Sequence, residues 1–164
     1  PQRRSSDLYV DRIRAIRGII PEWAISTDII TGFCSETPDQ HDETLSLMQE
    51  VKYDFAYMFY YSERPKTLAE RKYEDDVPVT EKKARLAEII QLQQQHGLAS
   101  NRRALGRTFK VLVEGPSKRS DEHFCGRNSQ NAMVVFPREA VVAGDYVEVK
   151  VTDCTAATLM GELV

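Results

Sequence analysis

Thr27-Asp28-Ile29-Ile30-Thr31-Gly32-Phe33-Cys34-Ser35-Glu36-Thr37 decides the fold of this chain. A β-branched run stops at one glycine and feeds directly into a helix start. Thr37 can accept from the amide of Gln40 while Gln40 reaches back to Thr37, which makes a capping box. Pro38 suits the first helical position, and Asp39 favours the positive end of the helix dipole. The run from Trp23 to Ile30 lacks strict alternation, so it suits a strand covered on both faces, as in a parallel sheet. Leu45, Met48 and Val51 mark the buried side of the helix. Tyr53 to Tyr61 is a second strand. Strand, turn, helix and strand in this order form a βαβ unit with parallel strands. Ligands of parallel α/β proteins bind at the carboxyl ends of such strands, where backbone amides collect.

Upstream, Leu8, Tyr9, Ile13, Ile16 and Ile20 recur at helical spacing with Arg12, Arg14 and Arg17 between them. This is an amphipathic helix, capped by Ser5 or Ser6 and ended by Pro21. Pro1 to Arg4 read as a frayed or cut end. Downstream, Ser62 to Val79 is a polar connection containing Pro65 and Pro78. Thr80 opens the longest helix, with Leu86, Ile89, Ile90, Gln93, Leu98 and Leu105 along one stripe. Gly97 interrupts that stripe as a candidate kink, and Gly106 is the expected C-cap. Two strands make neither a closed barrel nor a stable sheet. Either further strands lie outside this sequence, or the chain pairs with another copy through its exposed strand edges.

From Arg107 the hydrophobic period changes to two. Phe109–Val113, Met133–Phe136 and Tyr146–Val151 read as strands, with shorter ones near Phe124–Arg127 and Ala157–Leu163. Turns are expected at Gly115-Pro116, Pro137-Arg138 and Ala143-Gly144-Asp145. Five short strands suggest a small closed or nearly closed barrel of the OB type. The fold class is therefore α/β plus all-β, with one domain over 1–98 and a second over 99–164.

A chain of 164 residues with net charge −3 accommodates two small domains. The acidic excess lies in the first. In the second, Arg102, Arg103, Arg107, Lys110, Lys118 and Arg119 face only Glu114, a basic cluster that suits a polyanion or a solvated surface. No apolar run is long enough to cross a bilayer and no signal peptide is evident, so a cytoplasmic location without a membrane partner is the default. Cys34, Cys125 and Cys154 form no C-x-x-C pair and read as buried free thiols.

Each candidate for chemistry has a plainer reading beside it. Cys34 lies at a helix N-terminus, which lowers a thiol pKa, but no histidine or aspartate partner is near it in sequence. His41 reads as a packing or surface histidine. His123, Cys125 and Cys154 are too scattered to make a metal set by spacing. Gly115-Pro116-Ser117-Lys118 lacks the phosphate-loop pattern. Tyr57, Phe59 and Tyr61 share one strand face, which reads as core, or as a stacking surface if the strand ends at a pocket. Ser62, Glu63 and Arg64 follow that strand end, level with Gly32. Arg127-Asn128-Ser129-Gln130-Asn131 is a polar hairpin: an ordinary turn, or an RNA-contacting rim beside the basic cluster.

Asp11–Arg17, Ser26–Thr37 and Tyr57–Arg64 resemble the second half of a radical-SAM methylthiotransferase. Val111-Leu112-Val113-Glu114-Gly115, with Gly126-Arg127 and Asn131, resembles the TRAM domain that ends such enzymes. The likeness runs from Asp7 onward and is greatest to the branch that adds a methylthio group to isopentenyladenosine beside the anticodon of tRNA. Sibling branches act on threonylcarbamoyl-adenosine in tRNA or on a ribosomal protein. The family's C-x-x-x-C-x-x-C motif is absent, and none of the three cysteines matches a cluster ligand. In the family's G-F-P-G-E-T turn, Cys34 stands for the proline and Ser35 for the second glycine; in Y-S-x-R-P-G-T, Lys66 stands for the glycine.

The resemblance implies a C-terminal piece of a partial TIM-type barrel, followed by the TRAM barrel. It implies S-adenosylmethionine and two 4Fe-4S clusters in the whole enzyme, with no catalytic residue and no metal ligand on this piece. Thr27, Asp28 and Gly32 are its expected cofactor contacts, and Tyr61, Ser62 and Arg64 its expected substrate contacts. Arg102, Arg103, Arg107, Lys118, Arg119, Arg127, Asn128 and Asn131 are its expected RNA contacts. The implied partners are the anticodon stem-loop of tRNA and the N-terminal half of the enzyme.

Overall fold

A computed structural model describes residues 5–20, 22–118 and 120–164. The expected stop at Pro21, the frayed end at Pro1 to Arg4 and the candidate contact Arg119 lie outside the described residues. The chain divides into two compact units at Gln93/Gln94.

In the first unit, α1 (Ser5–Ile19), β1 (Ser26–Thr31), α2 (Pro38–Val51), β2 (Phe55–Tyr60), α3 (Leu68–Lys72) and the start of α4 (Val79–Arg102) follow in order. The capping box forms as its residues require: Gln40 N donates to Thr37 Oγ1 and Thr37 N donates to Gln40 Oε1. β1 and β2 pair in parallel, Ser26 opposite Phe55 through Thr31 opposite Tyr60. One face of this pair packs on helices. Ile29 and Met58 join a core of Val10, Ile13, Met48, Val51, Tyr53 and Ile89 drawn from α1, α2 and α4.

The expectation of strands buried on both faces fails. Burial alternates along β1, and the second face carries Ser26, Asp28 and Ile30 opposite Phe55, Tyr57 and Phe59, all exposed. Tyr57 and Phe59 are 59% and 55% exposed, so their stripe is not core. Trp23, 62% exposed, lies before the strand. The run from Trp23 to Ile30 implied two covered faces, but the second face of β1 carries Ser26 and Asp28 beside Ile30, and among the described residues only one face has a cover. An exposed aromatic patch of this kind marks an interface.

In the second unit, β3 (Thr108–Ser117), β4 (Ser120–Asn128), β5 (Met133–Pro137), β6 (Tyr146–Cys154) and β7 (Leu159–Leu163) close into a barrel of order β3-β4-β5-β7-β6. Among the described residues of this unit, only β5 and β7 pair in parallel. Val111, Val113, Phe124, Val134, Phe136, Val149, Val151 and Leu159 fill it. This is the five-stranded, OB-like barrel that the period-two pattern foretold.

Three glycines play other parts than their sequence context suggests. Gly115-Pro116 is not a turn between strands but a bulge within β3, where Gly115 has φ 143° and the register with β4 shifts. Gly97, the candidate kink, lies within α4, which runs on to Arg102. A Cβ there would stand 2.5 Å from the carbonyl oxygen of Ala156, so the missing side chain admits another backbone to the helix. The C-cap reading of Gly106 also moves: α4 ends at Arg102, and Gly106 lies beyond a short turn with φ 76°, its amide donating to Val151 O.

Candidate functional site

The turn after β1 is held by charges that the strand–turn–helix pattern did not reveal. Gly32 has φ 71°, and a Cβ there would stand 2.5 Å from Cγ of Lys82. The glycine therefore both reverses the chain and makes room for the stem of a lysine from α4. The Gly32 amide and the Thr31 hydroxyl both donate to Glu36 Oε1, at 2.9 and 3.1 Å. Arg85, 5% exposed, donates to the same oxygen at 2.7 Å and to Glu36 O at 3.0 Å. Its other nitrogen binds Glu81. Lys82, 1% exposed, binds Asp75 and donates to Tyr61 O at 3.3 Å. His41 is buried between Thr31 Oγ1 and Glu88, its Nε2 lying 2.8 Å from Glu88 Oε2. Buried cations this deep require such partners.

The turn meets the end of β2. Tyr61 N donates to Thr31 O at 2.8 Å, and the ring of Phe33 meets that of Tyr61 edge-on at 4.9 Å. Burial and the neighbouring Cys34 thiol push the Tyr61 hydroxyl above its ordinary pKa. Cys34 itself is buried, in keeping with a packing thiol. Ser62 and Arg64 are exposed, and the Arg64 carbonyl accepts from the hydroxyl of Thr67, the N-cap of α3.

Thr27 and Asp28 line a hollow of about 330 Å³ with Tyr9, Ile30, Leu47 and Tyr53. Gly32 is not among its lining residues. Tyr53 donates to Tyr9 Oη at 2.9 Å, and burial, with this partner, raises its hydroxyl pKa.

Ser35 and Lys66 occupy the left-handed region, with φ 61° and 69°. Both are non-glycine residues in a conformation that favours glycine. Asp76 secures the first: Ser35 N donates to Oδ1 at 2.6 Å and Ser35 Oγ to Oδ2 at 2.9 Å. Glu70 secures the second by accepting from Lys66 N at 2.8 Å.

The Ser35 bonds hold the Asp76 carboxyl below its ordinary value. A lowered carboxylate pKa contributes above the unfolded value, about 3.9, and is lost as pH falls through the folded one. We expect exchange protection of the Ser35 amide, corrected for intrinsic rate, to fall severalfold on acidification below that value. In Asp76→Asn it should be lower at neutral pH and flat across the same range. A wild-type profile that is flat would show that Asp76 does not hold the turn.

In the barrel, Arg102, Arg103, Arg107 and Lys118 are exposed. Arg107 lies over the ring of Phe109 at 5.2 Å. Arg127 forms an ion pair with Glu114 at 3.1 Å and donates to Asn131 O and Oδ1 at 3.0 and 3.2 Å. Asn128 is different. It is 6% exposed, and its Oδ1 accepts from the amides of Gln130 and Ala132. Its carboxamide is used to build the turn, so the ordinary-turn reading describes it, while Arg127 and Asn131 carry the outward chemistry. Burial, and secondarily Glu114, raises the Cys125 thiol pKa. Among the described residues no His, Cys, Asp or Glu cluster is placed to hold a metal ion, and no helix is long and apolar enough to cross a membrane.

Residues 102–164 match the TRAM domain model, so the chain carries a TRAM domain. Over 156 residues, 94% of this chain and 32% of the relative, it is 54% identical to the tRNA-2-methylthio-N(6)-dimethylallyladenosine synthase of Amoebophilus asiaticus. It is 51% identical to the synthase of the same name from Flavobacterium johnsoniae and 49% identical to that of Bacteroides thetaiotaomicron, each across 98% of this chain. The chain spans about a third of the length of these curated relatives.

Proposed function

We propose that this chain is the C-terminal third of a radical-SAM methylthiotransferase that acts on dimethylallyl-adenosine (isopentenyladenosine) in tRNA. What carries the reading is identity near one half sustained across both units, the strand-end turn and the TRAM barrel together. The boundary between the barrel wall and the RNA-binding part lies within α4, near residues 98 and 99.

In this reading β1 and β2 are the last strands of a partial barrel. Their exposed face becomes the lumen, and their outer edges accept strands from the N-terminal half of the enzyme. Asp28 lies on that face opposite Tyr57, so the chain offers an acceptor carboxylate and aromatic surface to S-adenosylmethionine. Thr27 flanks it, and Gly32 with its buried supports fixes the turn at the strand's end. Tyr61, Ser62 and Arg64 face the substrate from the segment just past the end of β2. When bound, S-adenosylmethionine supplies the radical and methyl chemistry. The residues present do not fit an iron-sulfur cluster, because Cys34 is packed beside Tyr61 and the other two cysteines belong to the β barrel.

The TRAM unit binds the anticodon stem-loop. Arg102, Arg103, Arg107 and Lys118 supply phosphate contacts, so log affinity falls as log salt rises. Arg127 and Asn131 reach the base edges. The test is mass spectrometry of tRNA nucleosides from a strain lacking the full-length gene and from the same strain with it restored. The expected result is a methylthio mark on dimethylallyladenosine only in the restored strain. The mark on threonylcarbamoyl-adenosine instead, or a coding sequence lacking C-x-x-x-C-x-x-C upstream of Pro1, would overturn the reading.

A further inference from the structure

Strand register aligns four outward side chains across the TRAM barrel. Tyr146 of β6 lies opposite Leu112 of β3, Leu112 opposite Arg127 of β4, and Arg127 opposite Met133 of β5. The residues beside them in sequence, Val111, Val113, Gly126, Asn128 and Val134, point inward and are buried. Tyr146 is 64% exposed and Leu112 is 36% exposed. The ammonium of Lys110 stands 4.8 Å from the centre of the Tyr146 ring. The Arg127 guanidinium is pinned in one plane by Glu114 and Asn131.

We propose that this row is a nucleobase platform. One unpaired RNA base stacks on Tyr146 and Leu112, with the fixed guanidinium of Arg127 and the Asn131 amide at its edge. The proposal rests on the RNA reading above and adds the residues that hold the base. An exposed aromatic with a cation over it offers stacking to any base. The charge balance favours a base over a phosphate here. Arg127 is countered by Glu114, and Lys110 lies opposite Glu148 in register, so the row is close to neutral. Phosphates are left to the exposed cations Arg102 and Lys118.

The test uses the whole chain and two RNA probes, an anticodon stem-loop and a blunt duplex of the same stem. A 2-aminopurine in the loop reports stacking through its quenching. Tyr146→Ala should weaken stem-loop binding about tenfold and abolish the quenching. Tyr146→Phe should retain both, and duplex binding should be unchanged throughout. Unchanged stem-loop affinity in Tyr146→Ala would overturn the platform. If Arg102→Glu with Arg103→Glu still weakened binding, the RNA reading would survive that result. If the unaltered chain bound neither probe at low salt, both readings would fall together. Loss of self-association in Tyr146→Ala without any change in RNA affinity would assign the row to a protein partner, and would also overturn the proposal.

Discussion

Arg85→Ala is expected to lower the unfolding free energy by about 3–5 kcal/mol, because it removes one partner of a buried ion pair and strands the other. Arg85 is 5% exposed, and the Glu36 side chain that receives it is 14% exposed. Without the guanidinium, the Glu36 carboxylate keeps only the Gly32 amide and the Thr31 hydroxyl. The pair itself is not expected to contribute as much as its breakage costs. Arg85→Met combined with Glu36→Gln should regain most of the loss, since the amide oxygen still accepts from Gly32 and no buried charge remains. Urea unfolding followed by far-UV circular dichroism decides both points. A single-variant loss under about 1 kcal/mol would place this pair with exposed ones, whose contributions are that small.

Phe136→Ala should have a comparable effect in the other unit, about 3–5 kcal/mol. Phe136 is fully buried among Val111, Val134, Val149 and Leu159, and it stands opposite Phe124 in the β4–β5 ladder. The barrel has little freedom to collapse around the space. Gly126 and Gly161 already press strands together so closely that a Cβ on either would stand 2.1 and 2.3 Å from a carbonyl oxygen across the ladder. A Phe136→Leu variant should lose far less than the alanine. Equal losses in the two variants would contradict the rigidity argued from those contacts.

The fold was legible where one residue type sets one period. Thr37, Pro38 and Gln40 announced α2, and alternating valines announced the barrel. Gly115 misled because glycine followed by proline signals a turn, while a bulge uses the same backbone freedom without leaving the strand. Trp23 to Ile30 misled in another way: its lack of strict alternation implied two covers, whereas Ser26 and Asp28 lie together on the exposed face of β1. The site was less legible. Lys82, Arg85 and Glu88 sit in a charged stretch of α4 that reads as solvated surface from sequence. Only tertiary placement against Gly32, Glu36 and His41 shows that charges from this helix hold the turn. Asn128 read as outward because polar hairpins usually are, and no sequence signal marked its use by the amides of Gln130 and Ala132.

Ser35 and Asp76 are separated by 41 residues yet share two hydrogen bonds. This makes the two positions dependent on each other. A serine at a left-handed position is tolerable while the aspartate is there to hold it, and the aspartate has no such task when position 35 is glycine. A serine at position 35 without the aspartate would meet the backbone strain unaided. Grafting this turn onto another chain is therefore safe only when both positions travel together.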